Sequence, residues 1–168
     1  MVVLRVTHKL LKVLPAKADT SEVSDTALGD WYINRIVIDR QPLLLCVAAN
    51  SLLCVIAPAR NVKALPLIFP DLVASRLQRL GADEKAIEAE VFTMQPVCIG
   101  KTRDRSIVGT MVDFAKVLPV YLPTTGWDTV DLRAAEDKLA EMPCRCSRAQ
   151  STVWPHRDTL TLLEARWL

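Results

Sequence analysis

The sequence predicts an α+β fold, a mostly antiparallel sheet with helices packed on it. Three observations carry this. Apolar runs with strand character crowd the first third of the chain, segments with helical spacing fill most of the remainder, and no internal repeat, low-complexity tract or linker divides the two. A length of 168 residues suits one domain over 1–168, with a helical and irregular extension from about residue 124.

Val2 to Val6 reads as a strand, followed from Thr7, a natural N-cap, by a helix over His8 to Leu14 that Pro15 closes. Residues 16–29 are small, polar and without period, the composition of a surface loop long enough to carry function. Three strands are expected next: Trp31 to Asp39, Pro42 to Ala48 and Leu52 to Ala57. Arg40-Gln41 and Asn50-Ser51 separate them and are short enough for hairpin turns. The middle strand, LLLCVA, is apolar on both faces and therefore central.

Beyond Arg60 the period changes. Phe69, Leu72, Val73, Leu77 and Leu80 have helical spacing around Pro70, and Gly81 is placed to end that helix. A second helix opens at Asp83, a short strand-like piece follows at Pro96 to Gly100, and Ile107, Met111, Phe114 and Leu118 mark a third helix with Ser106 as N-cap. Asp131 to Met142 form a fourth. Pro143 to Arg157 reads as irregular chain, and Asp158 to Trp167 as a closing helix.

Composition bounds the function. Hydrophobic residues are 51% and charged residues 24% of the chain, the balance of a globular protein. A formal charge of +2 is far from the strongly basic balance of a dedicated nucleic-acid binder. The longest apolar stretch is interrupted at Asn50-Ser51, short of the roughly 20 residues a bilayer span needs, and the N-terminal segment lacks the pattern of a secretory signal. A cytoplasmic protein without membrane contact is expected. The five cysteines are expected to be reduced, with Cys46, Cys54 and Cys98 buried in apolar runs.

The segment that invites chemistry is Lys101 to Ser106, KTRDRS. Gly100-Lys101-Thr102 does not extend to a phosphate-binding loop, because the required earlier glycine is replaced by Gln95. What stands is a cationic turn at a helix start: Lys101, Arg103 and Arg105 with the hydroxyls of Thr102 and Ser106, next to backbone N–H groups that favour anions. The plain alternative is a solvated turn in which Asp104 pairs with an arginine. Asp30, Trp31, Asn34 and Asp113 are accessory candidates. Asp113 lies two helical turns beyond Ser106, and Trp31 reads more readily as a core anchor than as a stacking platform. Cys144, Cys146 and His156 fall short of a zinc set, and the thiols are expected in an exposed loop activated modestly by Arg145 and Arg148. No metal or cofactor is expected.

The stretches VVLRVTHKLLKVL at the start, LGDWYIN at 28–34, the paired apolar strands around Asn50-Ser51, and GKTRDRSIVGTMVDFA at 100–115 resemble a family of small bacterial, plasmid-associated proteins of unknown function. The resemblance spans roughly the first 120 residues. It implies weight on the same two segments, 30–34 and 101–113, with a small polar residue before the helical acid where this chain has Val112. It supplies no reaction. Three functions stay open: a non-enzymatic binding or regulatory module contacting an anionic partner (a phosphate-bearing ligand, a nucleic acid or a protein) through the 101–106 turn; an enzyme acting on phosphate-bearing or nucleic-acid substrates with Asp30 or Asp113 as base or metal ligand; and a structural or oligomerising protein.

Overall fold

The computed structural model describes residues 1–14, 21–146 and 151–168. Pro15, expected to close the first helix, Arg148, expected to activate the thiols, and the parts of the two expected loops at 15–20 and 147–150 lie outside the described residues. The elements run β1 (Val2–Val6), α1 (His8–Leu11), β2 (Trp31–Ile38), β3 (Gln41–Ala48), β4 (Cys54–Pro58), α2 (Leu65–Leu80), α3 (Glu84–Thr93), β5 (Val97–Lys101), α4 (Arg105–Tyr121), α5 (Thr129–Glu141) and α6 (Pro155–Trp167). Among the described residues, no helix is long and apolar enough to cross a membrane.

The fold is α+β. Five strands form one mixed sheet in the order β4-β3-β2-β1-β5. The antiparallel meander β2-β3-β4 carries the longer ladders, running from Trp31 opposite Ala48 to Ile38 opposite Gln41. β1 lies parallel to β2 on one side and to β5 on the other, with Arg5 level with both Tyr32 and Gly100. A period of two therefore sorts side chains onto two covered faces. Val2, Leu4, Val6, Trp31, Ile33, Leu44 and Val55 pack under α2, α3 and α6, whereas Tyr32, Leu43, Leu45, Val47 and Cys54 pack under α4 and α5.

Local chemistry sets the element boundaries. α1 is a single regular turn, although the Leu14 N–H still reaches the Leu10 carbonyl at 3.0 Å. Thr7 does not cap it; its hydroxyl donates to Asn34 Oδ1 at 3.1 Å. α2 begins at Leu65, ahead of the expected start, because Pro66 sits in the first turn, where a missing N–H has no intrahelical partner to lose. Pro70 is then accommodated inside, and Gly81 ends the helix at φ 85°. α4 is capped by Asp104, two residues before the expected Ser106, since the Asp104 carboxylate accepts the Ser106 N–H at 2.9 Å. At α5, Asp128 and Asp131 form a reciprocal capping box. Within the stretch expected to be irregular, Cys144 and Val153 exchange backbone bonds of 2.8 Å.

The β4 edge is closed by a buried ionic network that joins the two helical layers. Glu136 of α5, 2% exposed, accepts the Ile56 N–H at 2.6 Å and Arg79 of α2 at 2.8 Å. Arg76 of α2, fully buried, donates to the carbonyls of Cys54 and Glu136 and to Asp137 Oδ1 at 2.7 Å. An edge strand that would otherwise present unpaired groups is thus covered by side chains.

The β2–β3 hairpin turns through Asp39 at φ 50° and Arg40 at φ 65°, the left-handed pair that a two-residue hairpin requires, with Trp127 Nε1 donating to Asp39 at 2.8 Å. Neither residue is glycine, and an L-residue held there is strained by about 1–2 kcal/mol. Arg40→Gly is expected to stabilise the protein by about 0.5–1 kcal/mol after the entropy loss of glycine is subtracted, read as a raised midpoint in chemical denaturation.

Candidate functional site

The turn from 22 to 30, the β3–β4 turn and the start of α4 meet at the end of the sheet where β2 begins. They enclose a cleft of about 520 Å³ lined by Val23, Ser24, Gly29, Asp30, Tyr32, Ala49, Asn50 and the Arg103–Ser106 segment.

Asp30, 5% exposed, is the polar centre of its floor. One carboxylate oxygen accepts Arg5 Nε at 2.8 Å, and Arg103 lies 3.6 Å from the same atom; the other accepts the Ser24 N–H at 3.0 Å and the Ser24 hydroxyl at 2.7 Å. Three hydrogen bonds hold the carboxylate, and Arg103 adds a longer ionic contact. Arg5 projects from β1 toward the α4 face, is 1% exposed, and also donates to the Glu22 carbonyl at 2.6 Å. It is therefore the fixed countercharge beneath the cleft. Arg103 is different, being exposed and loosely held.

Glycine is required at position 29. Its φ is 76°, and a Cβ there would lie 2.9 Å from the Asn50 carboxamide. The close approach lets the Asn50 N–H reach the Leu28 carbonyl and the Ala49 N–H reach that of Asp30, so the two turns share one wall. Asn50 Nδ2 adds a bond to the Ala27 carbonyl at 3.0 Å.

The loop feeding Asp30 is held from behind by Glu90, a buried carboxylate of α3. It accepts the N–H groups of Ala27 at 2.8 Å and Leu28 at 3.0 Å, and the indole N–H of Trp167 from α6 at 2.7 Å. Backbone and indole donors satisfy this buried carboxylate.

At the opposite wall, the Tyr32 oxygen accepts the Asp104 N–H at 3.2 Å. Burial pushes the Tyr32 phenol above its ordinary pKa, and the Asp104 and Asp30 carboxylates add to the effect, so it is a neutral hydroxyl at physiological pH. Arg105 has no ion-pair partner among the described residues and is exposed at the cleft rim. The Ser106 hydroxyl lies 2.7 Å from the Cys146 sulfur. Because Asp104 takes up the Ser106 amide, the two guanidiniums are the principal anion-attracting groups, ahead of the helix end.

Of the residues singled out in the sequence, Arg103, Arg105, Ser106 and Asp30 line this cleft. Lys101, the last residue of β5, lies level with Val6, and neither it nor Thr102 is among the lining residues. Trp31 points to the other face of the sheet, where its ring meets Phe69 edge-on at 5.3 Å. Asn34 bonds Thr7 instead. Asp113, exposed on α4, raises the pKa of Cys144, which burial above all pushes up to about 11. The Cys144 and Cys146 thiols are buried rather than exposed, which corrects the expected activated loop: desolvation disfavours the Cys144 thiolate. His156 lines a separate recess with Trp154 and Arg157. Arg5, Ser24, Gly29 and Asn50 went unselected in the sequence, although Arg5 had one signal, a charge inside the apolar strand VVLRV.

Residues 3–158 match the family model described as "Domain of unknown function (DUF6933)", which covers nearly the whole chain, and the chain belongs to that family. Among curated proteins, none matches it.

Proposed function

We propose that this member of the DUF6933 family is a non-enzymatic binding or regulatory module that holds a phosphate-bearing anionic partner in the cleft, through Arg103 and Arg105. The observation that carries the reading is the convergence of these two guanidiniums on a cleft whose floor carboxylate is already supplied with donors. Arginine pairs suit phosphate because their planar forks donate two parallel charge-assisted bonds. The setting of Asp30 favours binding over catalysis: a general base must reach the substrate proton, whereas this carboxylate is buried and held by Arg5 and Ser24. Asp113, the other acid proposed for catalysis, does not line the cleft. The bacterial, plasmid-borne setting that we assign rests on the sequence resemblance of the 28–34 and 100–115 segments, and the cytoplasmic one on apolar stretches too short to span a bilayer.

Thermal-shift measurements with inorganic phosphate and a short single-stranded oligonucleotide test the reading on the parent protein, Arg103→Ala/Arg105→Ala and Lys101→Ala. A ligand at 100 times its dissociation constant adds about 2.7 kcal/mol to the folded state, a rise of roughly 5–10 °C for a domain of this size. The rise is expected in the parent and in Lys101→Ala, and is expected to vanish in the double variant. An equal rise in the double variant, or none in the parent with either probe, overturns the proposal.

A further inference from the structure

The dimensions and the charge distribution of the cleft narrow the ligand class; this inference rests on the reading just given. A volume of about 520 Å³ lies within the range of sites that enclose small organic molecules, roughly 300–1,000 Å³. A phosphate group displaces only a few waters of about 30 Å³ each and leaves most of that space unfilled. The charge is also segregated. Arg103 and Arg105, with Asp104 between them in sequence, stand on the α4 side, whereas the facing wall is built from Gly29, Ala49 and Asn50, none of them charged.

Asn50 is the specific group on that wall. One of its amide hydrogens is committed to the Ala27 carbonyl, which fixes the plane of the carboxamide. A carboxamide carries two donors and an acceptor oxygen, so a donor and an acceptor remain side by side. Such a pair suits hydroxyls or the amide edge of a ring. Gly29, without a side chain, lets this carboxamide lie flat against the backbone at the cleft wall.

We infer that the ligand is a small organic phosphate of about mononucleotide size, a phosphorylated sugar or a nucleoside monophosphate, with its phosphate between Arg103 and Arg105 and its uncharged body against Asn50. Arg103, 3.6 Å from Asp30, turns from that carboxylate to the phosphate. Arg5 stays behind as the countercharge to Asp30.

Calorimetric titration of the parent protein, Arg105→Ala and Asn50→Ala with inorganic phosphate, ribose 5-phosphate, adenosine 5′-monophosphate and adenosine tests this. In the parent, at least one organic phosphate is expected to bind tenfold or more tighter than inorganic phosphate. Equal affinities for ribose 5-phosphate and the nucleotide identify a sugar phosphate, and a further gain for the nucleotide identifies a base-bearing ligand. Arg105→Ala is expected to weaken every phosphate probe by tenfold or more, and Asn50→Ala to erase the organic preference while leaving inorganic phosphate unchanged. Amide chemical-shift mapping on the parent removes dependence on the variants: ribose 5-phosphate is expected to move Gly29 and Asn50 as well as 103–106, and inorganic phosphate only 103–106. Inorganic phosphate binding as tightly as both organic probes, or unmoved Gly29 and Asn50 resonances, overturns the ligand class and leaves the anion reading standing. No binding by any phosphate probe overturns both.

Discussion

Replacing Glu136 with alanine is expected to destabilise the protein by about 3–5 kcal/mol, the loss typical of removing one partner from a buried ion pair. The variant strands the Ile56 N–H of β4 and removes the countercharge facing Arg79 and Arg76, of which only Arg76 keeps another carboxylate, Asp137. A fall in melting temperature on the order of 10 °C follows for a chain of this length, measured by calorimetry. Glu136→Gln, which keeps an acceptor for Ile56, is expected to lose less. The pH dependence is a sharper check. Burial raises the Glu136 pKa, outweighing the Ile56 N–H and the two arginines that lower it. The native state thus binds this proton more readily than the unfolded chain does. The resulting stabilisation is complete below the ordinary glutamate value of about 4.3 and is lost as pH rises through the raised value. The gap between parent and Glu136→Gln is therefore expected to narrow as pH rises through that window. A constant gap, or one that widens, contradicts it.

Asp30→Ala is the second large effect. It leaves the Arg5 guanidinium, 1% exposed, without its carboxylate and frees the Ser24 hydroxyl and amide together. A loss of about 3–5 kcal/mol is expected in urea denaturation. The double variant Arg5→Met/Asp30→Ala is expected to recover a large part of it, because the buried charge that Asp30 faced is then gone. A double variant as unstable as Asp30→Ala alone would mean that the Ser24 bonds, and not the ion pair, hold the floor of the cleft. Asp30 is accordingly an architectural group of the site, and a loss of ligand binding in Asp30→Ala cannot by itself assign it a direct contact.

Much of this fold was legible because it is governed by period and punctuation. The meander was readable from three apolar runs with two-residue breaks, and the helix ends from Gly81, Asp83 and the apolar stripe of Ile107, Met111, Phe114 and Leu118. The parallel placement of β1 between β2 and β5 was not, because no local signal records which distant strand a five-residue segment pairs with. The site divided along the same line. Arg103, Arg105 and Ser106 announce themselves as a cationic run, and Asp30 as an acid beside an aromatic pair. Asn50 and Gly29 looked like ordinary turn residues until the sheet brought their turns to one wall. Lys101 has the composition of its neighbours, yet it closes a strand level with Val6 and so does not line the cleft. Adjacency in sequence does not guarantee a shared surface when a strand gives way to a helix between the residues.

Glu90 ties the cleft to distant parts of the chain. Its three donors come from positions 63, 62 and 77 residues away along the chain. Each such closure must overcome loop entropy before it contributes any net stability. The segment leading into Asp30 is thus held in its working shape by α3 and α6 together, which makes the cleft wall a product of the whole chain.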